Sequence, residues 1–323
     1  MRTLKSMTEQ IGVSGYEDTV RDYIKRSLGK NVLDCVKVDN IGNLIIHKDS
    51  EIQTPGIMII AHMDEVGFQV INVNEDGSAS VKTLGNLKTW NTINQRVSTE
   101  DGMKKGVVYC ADPEGIKAHD YGKIVIIPTA GKFETGDVLG FDTDLIESDK
   151  EYIGKALDNR VSCFILSEII EMSIPCSNPV DFVFSVQEEI GMRGARVAVS
   201  ELAPDIVIDL DVSPVGENNS LKMGNGIGIK LSDSIGVSSR NLVNQVEKIA
   251  VDANIKYQRE VSDCGTSELI ITNEKDSGAE RIGISIPCLN IHSSLTRVNK
   301  EDLEMGLRLV KEILKSGLAL DNQ

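Results

Sequence analysis

The sequence predicts an α/β fold: a mixed, largely parallel sheet with helices on both faces, carrying an inserted small β-barrel-like domain. Three observations predict it. Apolar runs of strand length alternate with amphipathic helical stretches at both ends of the chain, the pattern of strands crossed over by helices. Between residues 68 and 152 the texture changes to short alternating segments broken by Gly, Asp and Asn, with no long amphipathic helix, which suits a small barrel or sandwich. Several strands of the first kind then run into His, Asp or Glu, and open α/β sheets bind ligands outside the carboxyl ends of their strands. The division expected is a discontinuous α/β domain of residues 1–67 and 153–323 around an insertion of residues 68–152.

In chain order, residues 2–10 read as a short helix. Ser14 with Glu17 three residues on has the spacing of a capping box, opening a helix with Val20, Tyr23, Ile24 and Leu28 on one face. Residues 32–38 and 43–47 read as strands around Asp39-Asn40-Ile41-Gly42. Ile57-Met58-Ile59-Ile60-Ala61 is a buried strand leading to His62 and Asp64. Past the insertion, Asp158 lies in the loop before an apolar helix near 160–173. The run 181–187 is a strand that meets Glu188 and Glu189, and a helix follows near 193–201. Ile206–Asp211 is a strand ending in a carboxylate. The glycine-rich Met223–Gly228 fits no nucleotide fingerprint and reads as a turn. Residues 240–254 form an amphipathic helix capped by Ser238 or Ser239. Ile282–Ile286 is a strand followed by His292, and residues 300–318 close the chain as a helix with Leu303, Leu307, Val310 and Leu314 inward.

Composition narrows the function. The 323 residues are 41% hydrophobic with a formal net charge of −15, which argues against nucleic acid and anionic membranes as partners. No apolar run reaches the length of a membrane span, and the first ten residues have no signal-peptide core. Six scattered cysteines contain no Cys-x-x-Cys pair, so a reduced, cytoplasmic protein is expected. No Gly-x-Ser-x-Gly elbow or P-loop is present.

The chemistry resides in His62, Asp64, Asp158, Glu188, Glu189, Asp211 and His292. Carboxylates at the end of a buried strand are costly unless a cation or proton chemistry uses them. On an extended chain Glu188 and Glu189 point to opposite sides, so one can hold a metal while the other faces the reacting water. Two imidazoles and several carboxylates suit two divalent ions of the zinc or cobalt kind. Asp64, two residues beyond His62, points the same way on an extended chain and can accept its free ring N–H. Each residue alone has a plainer reading: Asp211 as a cap, Asp158-Asn159 as a helix N-cap, His47 and His119 as surface or satisfied histidines. The recurrence at successive strands favours the joint reading.

These residues carry a resemblance. Gly12–Glu17, Asp39–Asn43, Ala61–Gly67, Ala156–Arg160, Val186–Gly191 and Ile291–Ser293 occur in the order found in the tetrahedral aminopeptidase family, which includes glutamyl and deblocking aminopeptidases and relatives labelled endoglucanase. The chain resembles these dinuclear metallo-aminopeptidases over nearly its whole length. The resemblance implies a zinc-aminopeptidase-like catalytic domain with two divalent metal ions. His62, Asp158 and Asp211 would hold one and Asp158, Glu189 and His292 the other, with Glu188 as general base and Asp64 orienting His62. It implies peptide substrates and an inserted domain that drives homo-oligomerisation, commonly to dodecamers or smaller assemblies. The chain departs from the family at Cys264-Gly265-Thr266-Ser267, Leu289-Asn290 and Ser294–Thr296, which bears on substrate preference. Two other readings remain: hydrolysis of an N-acyl or other amide on the same metals, and an inactive metal-binding oligomer. A retained Glu188 weighs against the second.

Overall fold

The computed structural model describes residues 3–33, 35–50, 54–263, 265–273 and 278–321. After helix α1 (Leu4–Thr8), helix α2 (Asp18–Ser27) begins at Glu17 with no side-chain cap. The capping box expected at Ser14–Glu17 therefore does not form, because both side chains are turned toward other partners. Residues 32–38 are not one strand either: a short helix α3 (Lys30–Leu33) precedes strand β1 (Val36–Val38). Strand β2 (Leu44–Lys48) and strand β3 (Ile57–His62) follow, and every residue of β3 is buried.

Six strands then close a barrel: β4 (Gly67–Val73), β5 (Ala79–Leu84), β6 (Arg96–Ser98), β7 (Lys105–Cys110), β8 (Ile124–Ala130) and β9 (Val138–Phe141), in the order β4-β5-β8-β7-β6-β9. Period-2 alternation fills its interior with Phe68, Val70, Val81, Val97, Val108, Ile126, Leu139 and Phe141. The Phe68 and Phe141 rings meet edge to face at 5.9 Å. The next hairpin, β10 (Ile146–Glu147) and β11 (Glu151–Gly154), pairs with the main sheet, so the barrel's own strands end at Phe141.

The remaining elements are α4 (Leu157–Glu171), β12 (Val180–Ser185), α5 (Arg193–Leu202), β13 (Ile206–Pro214), β14 (Ile227–Ser232), α6 (Arg240–Asp252), β15 (Tyr257–Val261), β16 (Glu280–Leu289), β17 (Thr296–Asn299) and α7 (Lys300–Ser316). Among the described residues the main sheet has eleven strands. Its centre, β12-β3-β13-β16, is parallel; β2, β14 and β17 join it antiparallel, and β15 pairs parallel to β14. Parallel strands covered on both faces read as unbroken apolar runs, which is why β3 and β12 were visible in the sequence. Helices α4, α6 and α7 pack on one face through Ile165, Leu166, Leu242, Val246, Val310 and Ile313. Helix α5 covers the other through Ala195, Ala198 and Val199. Each fully buried aliphatic side chain contributes roughly 1.5–3 kcal/mol. The Ser239 side chain does not cap α6; its hydroxyl accepts the Arg281 N–H instead.

Strand register places the site. Ser185 of β12 lies beside His62 of β3, so the turn after β12 meets the end of β3. Strand β13 continues to Pro214, three residues past the expected end, so Asp211 lies inside it.

Candidate dinuclear metal centre

Five chain segments bring the predicted side chains together: the end of β3, the first turn of α4, the turn after β12, β13 and the loop after β16. His62 Nε2 lies 3.1 Å from Asp158 Oδ1 and 3.6 Å from Asp211 Oδ1. His292 Nε2 lies 3.2 Å from the other Asp158 oxygen, Oδ2, and 3.2 Å from Glu189 Oε2. Two groups of ligand atoms, His62-Asp158-Asp211 and Asp158-Glu189-His292, each fall within 4.8 Å of one another and share Asp158. Asp158 sits in the irregular first turn of α4, where it and Asn159 have non-helical torsions and are joined by a cis peptide bond. His47 and His119 lie elsewhere, on Asp49 and Asp181 and on Tyr121 respectively.

The tautomers follow from the second ring nitrogens. His62 Nδ1 is 3.2 Å from the Asp64 carbonyl oxygen, and His292 Nδ1 is 3.0 Å from the Asn86 carbonyl oxygen. A carbonyl oxygen only accepts, so both Nδ1 atoms carry the proton. In the neutral imidazoles both Nε2 lone pairs then face carboxylate oxygens. Lone pair against lone pair requires a proton or a cation between them. The electrostatics agree. Burial would push Asp158 up, but its hydrogen bonds to His292 and His62 and their charge win and hold it well below the usual carboxylate range. Burial would lower both histidines, yet the surrounding carboxylates raise them well above the ordinary value. Glu188 is pushed well up, first by burial; His62 opposes this, and Glu189, Asp211 and Glu268 add to it. Glu189 Oε1 is buried with no hydrogen-bond partner among the described residues. Excess negative charge, an orphaned carboxylate oxygen and two aimed imidazoles fit divalent cations.

Glu188 and Glu189 are not on an extended strand, as the alternation argument expected. Strand β12 stops at Ser185, and Gln187 adopts the left-handed region at φ 57°. The two side chains still separate: Glu188 Oε2 lies 3.9 Å from His62 Nε2, whereas Glu189 faces His292. Asp64 also differs from expectation. Its Oδ1 is 3.5 Å from His62 Nδ1, farther than its own carbonyl, and the carboxylate mainly holds the glutamates' backbone. Oδ1 accepts the Glu188 N–H at 2.9 Å; Oδ2 accepts the Glu189 N–H at 3.1 Å and the Ser14 hydroxyl at 2.6 Å.

Neighbouring motifs brace this turn. The Asp39 carboxylate accepts the N–H groups of Ile41, Gly42 and Asn43 and orders Asn43, whose Oδ1 takes the Val186 N–H. Helix α5 approaches so closely that a Cβ on Gly194 would lie 2.4 Å from Asn43 Oδ1 and Val186 O. Arg160 ties α4 to Met63 O and Met7 O, and a buried Lys155–Glu65 pair at 2.7 Å joins the same wall. No sequence signal marks Asn86, because it acts through its backbone carbonyl.

The cleft above the cluster encloses about 470 Å³. Its far side carries Lys230, Asp233, Gly265, Thr266 and Ser267, with Ser267 held by Asp233. Cys264 of that departing stretch lies outside the described residues. Of the other departures, Asn290 bonds locally, its carbonyl accepting the Ser293 and Thr296 hydroxyls, whereas the Ser294 hydroxyl reaches Gln95 of the barrel segment.

The model of the M42 glutamyl aminopeptidase family matches residues 42–126 and 129–309. The chain belongs to this family. It is 29% identical to a glutamyl aminopeptidase of Lactococcus lactis subsp. cremoris, covering 97% of this chain and 95% of that one. It is 27% identical to a lysyl aminopeptidase of Pyrococcus furiosus, covering 98% and 97%. Among solved structures, a Pyrococcus horikoshii TET1 peptidase that assembles into a tetrahedron or a large octahedral shell superposes with a TM-score of 0.86 at 25% identity, over 96% of this chain and 98% of that one. This M42 chain thus has the mixed sheet and closed barrel of a metal-dependent aminopeptidase family.

Proposed function

We propose that this chain is a dinuclear metallo-aminopeptidase that removes the N-terminal residue of short peptides. The observation that carries the reading is the pair of Nε2 atoms aimed at different oxygens of one buried carboxylate, Asp158. His62, Asp158 and Asp211 would hold one cation; Asp158, Glu189 and His292 would hold the other. Two divalent ions of the zinc or cobalt kind would polarise a carbonyl and acidify water. The chain supplies the remaining chemistry. Glu188, which belongs to neither candidate ligand group, would take the proton of the attacking water and pass it to the leaving amine. Asp64 fixes the backbone from which Glu188 and Glu189 project. Relatives named for glutamyl and for lysyl substrates are about equally similar, so the preferred side chain is a property of each cleft.

The barrel reads as the inserted assembly unit, and the likeness to TET1 peptidases, one a dodecamer and one a tetrahedron or large octahedral shell, supports homo-oligomers, a dodecamer among them. Ile71, Trp90, Tyr109 and Ile127 of the barrel segment are exposed, and exposed apolar surface of this kind suits self-association. The five described cysteines are free, which suits a reducing compartment such as the cytoplasm. No helix of the described residues is long and apolar enough to cross a membrane.

The test is metal analysis of the purified protein together with a panel of aminoacyl-p-nitroanilides, short peptides and N-acyl amides. Two metals per chain with turnover of free-amine substrates are expected. Turnover of N-acyl substrates alone would reassign the reaction, and full metal with no turnover would make the chain a binding protein. A monomer by light scattering would remove the assembly proposal and leave the chemistry standing.

A further inference from the structure

The turn that carries Glu188 and Glu189 is held from outside by two carboxylates, and one of them comes from the N-terminal loop. Glu17 is 5% exposed. Its Oε1 accepts the Gly15 N–H at 2.7 Å and the Gln187 N–H at 3.0 Å. The next two N–H groups, of Glu188 and Glu189, go to Asp64. Ser14 donates to the same Asp64 carboxylate, and the loop is anchored by Ser14 N to Glu65 O at 3.3 Å and Glu65 N to Gly12 O at 2.9 Å. Three successive N–H groups thus converge on two carboxylates. Gln187, between Val186 and Glu188, is left-handed at φ 57°, a conformation that non-glycine residues adopt when their surroundings enforce it. That torsion breaks the extended chain and turns Glu188 toward His62 while Glu189 faces His292.

We propose that Glu17 is a positioning residue for the reaction: by accepting the Gln187 N–H it fixes the left-handed turn that aims Glu188. This rests on Glu188 as general base. Glu17 touches neither the metal ligands' donor atoms nor the open cleft, so it acts through the backbone of the turn. What matters is an acceptor oxygen at that reach rather than a charge.

Three variants separate these properties. Glu17→Gln keeps the oxygen and loses the charge; Glu17→Asp keeps the charge and withdraws the oxygen by one methylene; Glu17→Ala removes both. On the metal-loaded enzyme, with the best p-nitroanilide of the panel, Glu17→Gln is expected within about threefold of the parent. Glu17→Asp and Glu17→Ala are expected to lower kcat about 10- to 100-fold, with KM within about twofold and bound metal unchanged. Amide hydrogen exchange at Gln187, read on metal-free protein, should accelerate in the Asp variant and not in the Gln variant. The decisive measurement is a double-mutant cycle: in a Glu188→Gln background the Glu17→Asp loss should vanish, because the residue it positions is gone. An equal loss in both backgrounds, reduced metal content, or a Gln variant as impaired as Ala would overturn the proposal. If Glu17→Ala does not fold, the Asp–Gln pair still decides. Full activity of Glu188→Gln alone would sink the general-base reading instead, and is distinguishable because it involves no change at Glu17.

Discussion

The two halves of the candidate metal-binding cluster are built differently. His62 ends a central strand, its side chain is 2% exposed, and its Nδ1 is satisfied two residues away by Asp64 O. His292 lies in the loop after β16, is 22% exposed, is left-handed at φ 55°, and is satisfied by Asn86, 206 residues away in the barrel segment. The first half is oriented within the α/β unit. The second takes its orienting carbonyl from the barrel segment. Orienting a metal-ligating imidazole through its other nitrogen is a general device, but here one orienting group is local and the other comes from the insertion. The barrel segment therefore orients one imidazole of the candidate centre.

The largest effect should come from the one residue both halves share. Asp158→Ala is expected to lower bound metal at both positions and to take activity below detection; one equivalent retained at full affinity would show that the halves are independent. Next are the two glutamates. Glu188→Gln should keep metal content and folding while lowering kcat by the ~10²–10⁴ of lost general acid–base catalysis. Glu189→Gln should weaken metal binding in the His292 half, with excess metal partly restoring turnover. Rescue by metal in the first variant and not the second would exchange their roles.

A change outside the ligands probes the barrel's contribution. Gly85 sits at φ 85°, and a Cβ there would lie 2.5 Å from Val66 Cγ1 and 3.3 Å from Glu189 Cβ. Gly85→Ala should displace Asn86 and Glu189 together. Titration calorimetry should show affinity for one metal equivalent falling about tenfold while the other is unchanged; equal weakening of both would erase the distinction between the halves. The smallest effect is expected from Ser294→Ala, which removes the Ser294–Gln95 hydrogen bond between catalytic sheet and barrel segment. A loss of about 0.5–1.5 kcal/mol is expected, read as a lower Tm with both metals retained.

Much of this was legible in the chain. β3 and β12 were readable because strands buried on both faces must be apolar throughout, and His62, Glu188 and Glu189 stood out because polar groups just past such runs need compensation. The barrel was readable because its strands alternate with period 2 between turn residues. Boundaries and local partners were less legible. Ser14 and Glu17 have the spacing of a capping box, but one hydroxyl and one carboxylate at that spacing serve equally well to hold Asp64 and Gln187, and only the approach of the β3 and β12 loops selects that use. The turn at Gln187 was invisible because a left-handed glutamine has no sequence mark; it is imposed by Glu17, Asp64 and Asn43 from three distant segments. Asn86 was invisible because a carbonyl oxygen is present at every residue. The sequence by itself therefore determined which side chains could bind metal and on which strands they stand, since those depend on residue type and hydrophobic period. Tertiary structure alone decided how they are aimed, since that depends on backbone groups and torsions that converge only when the barrel, the N-terminal loop and the sheet are packed together.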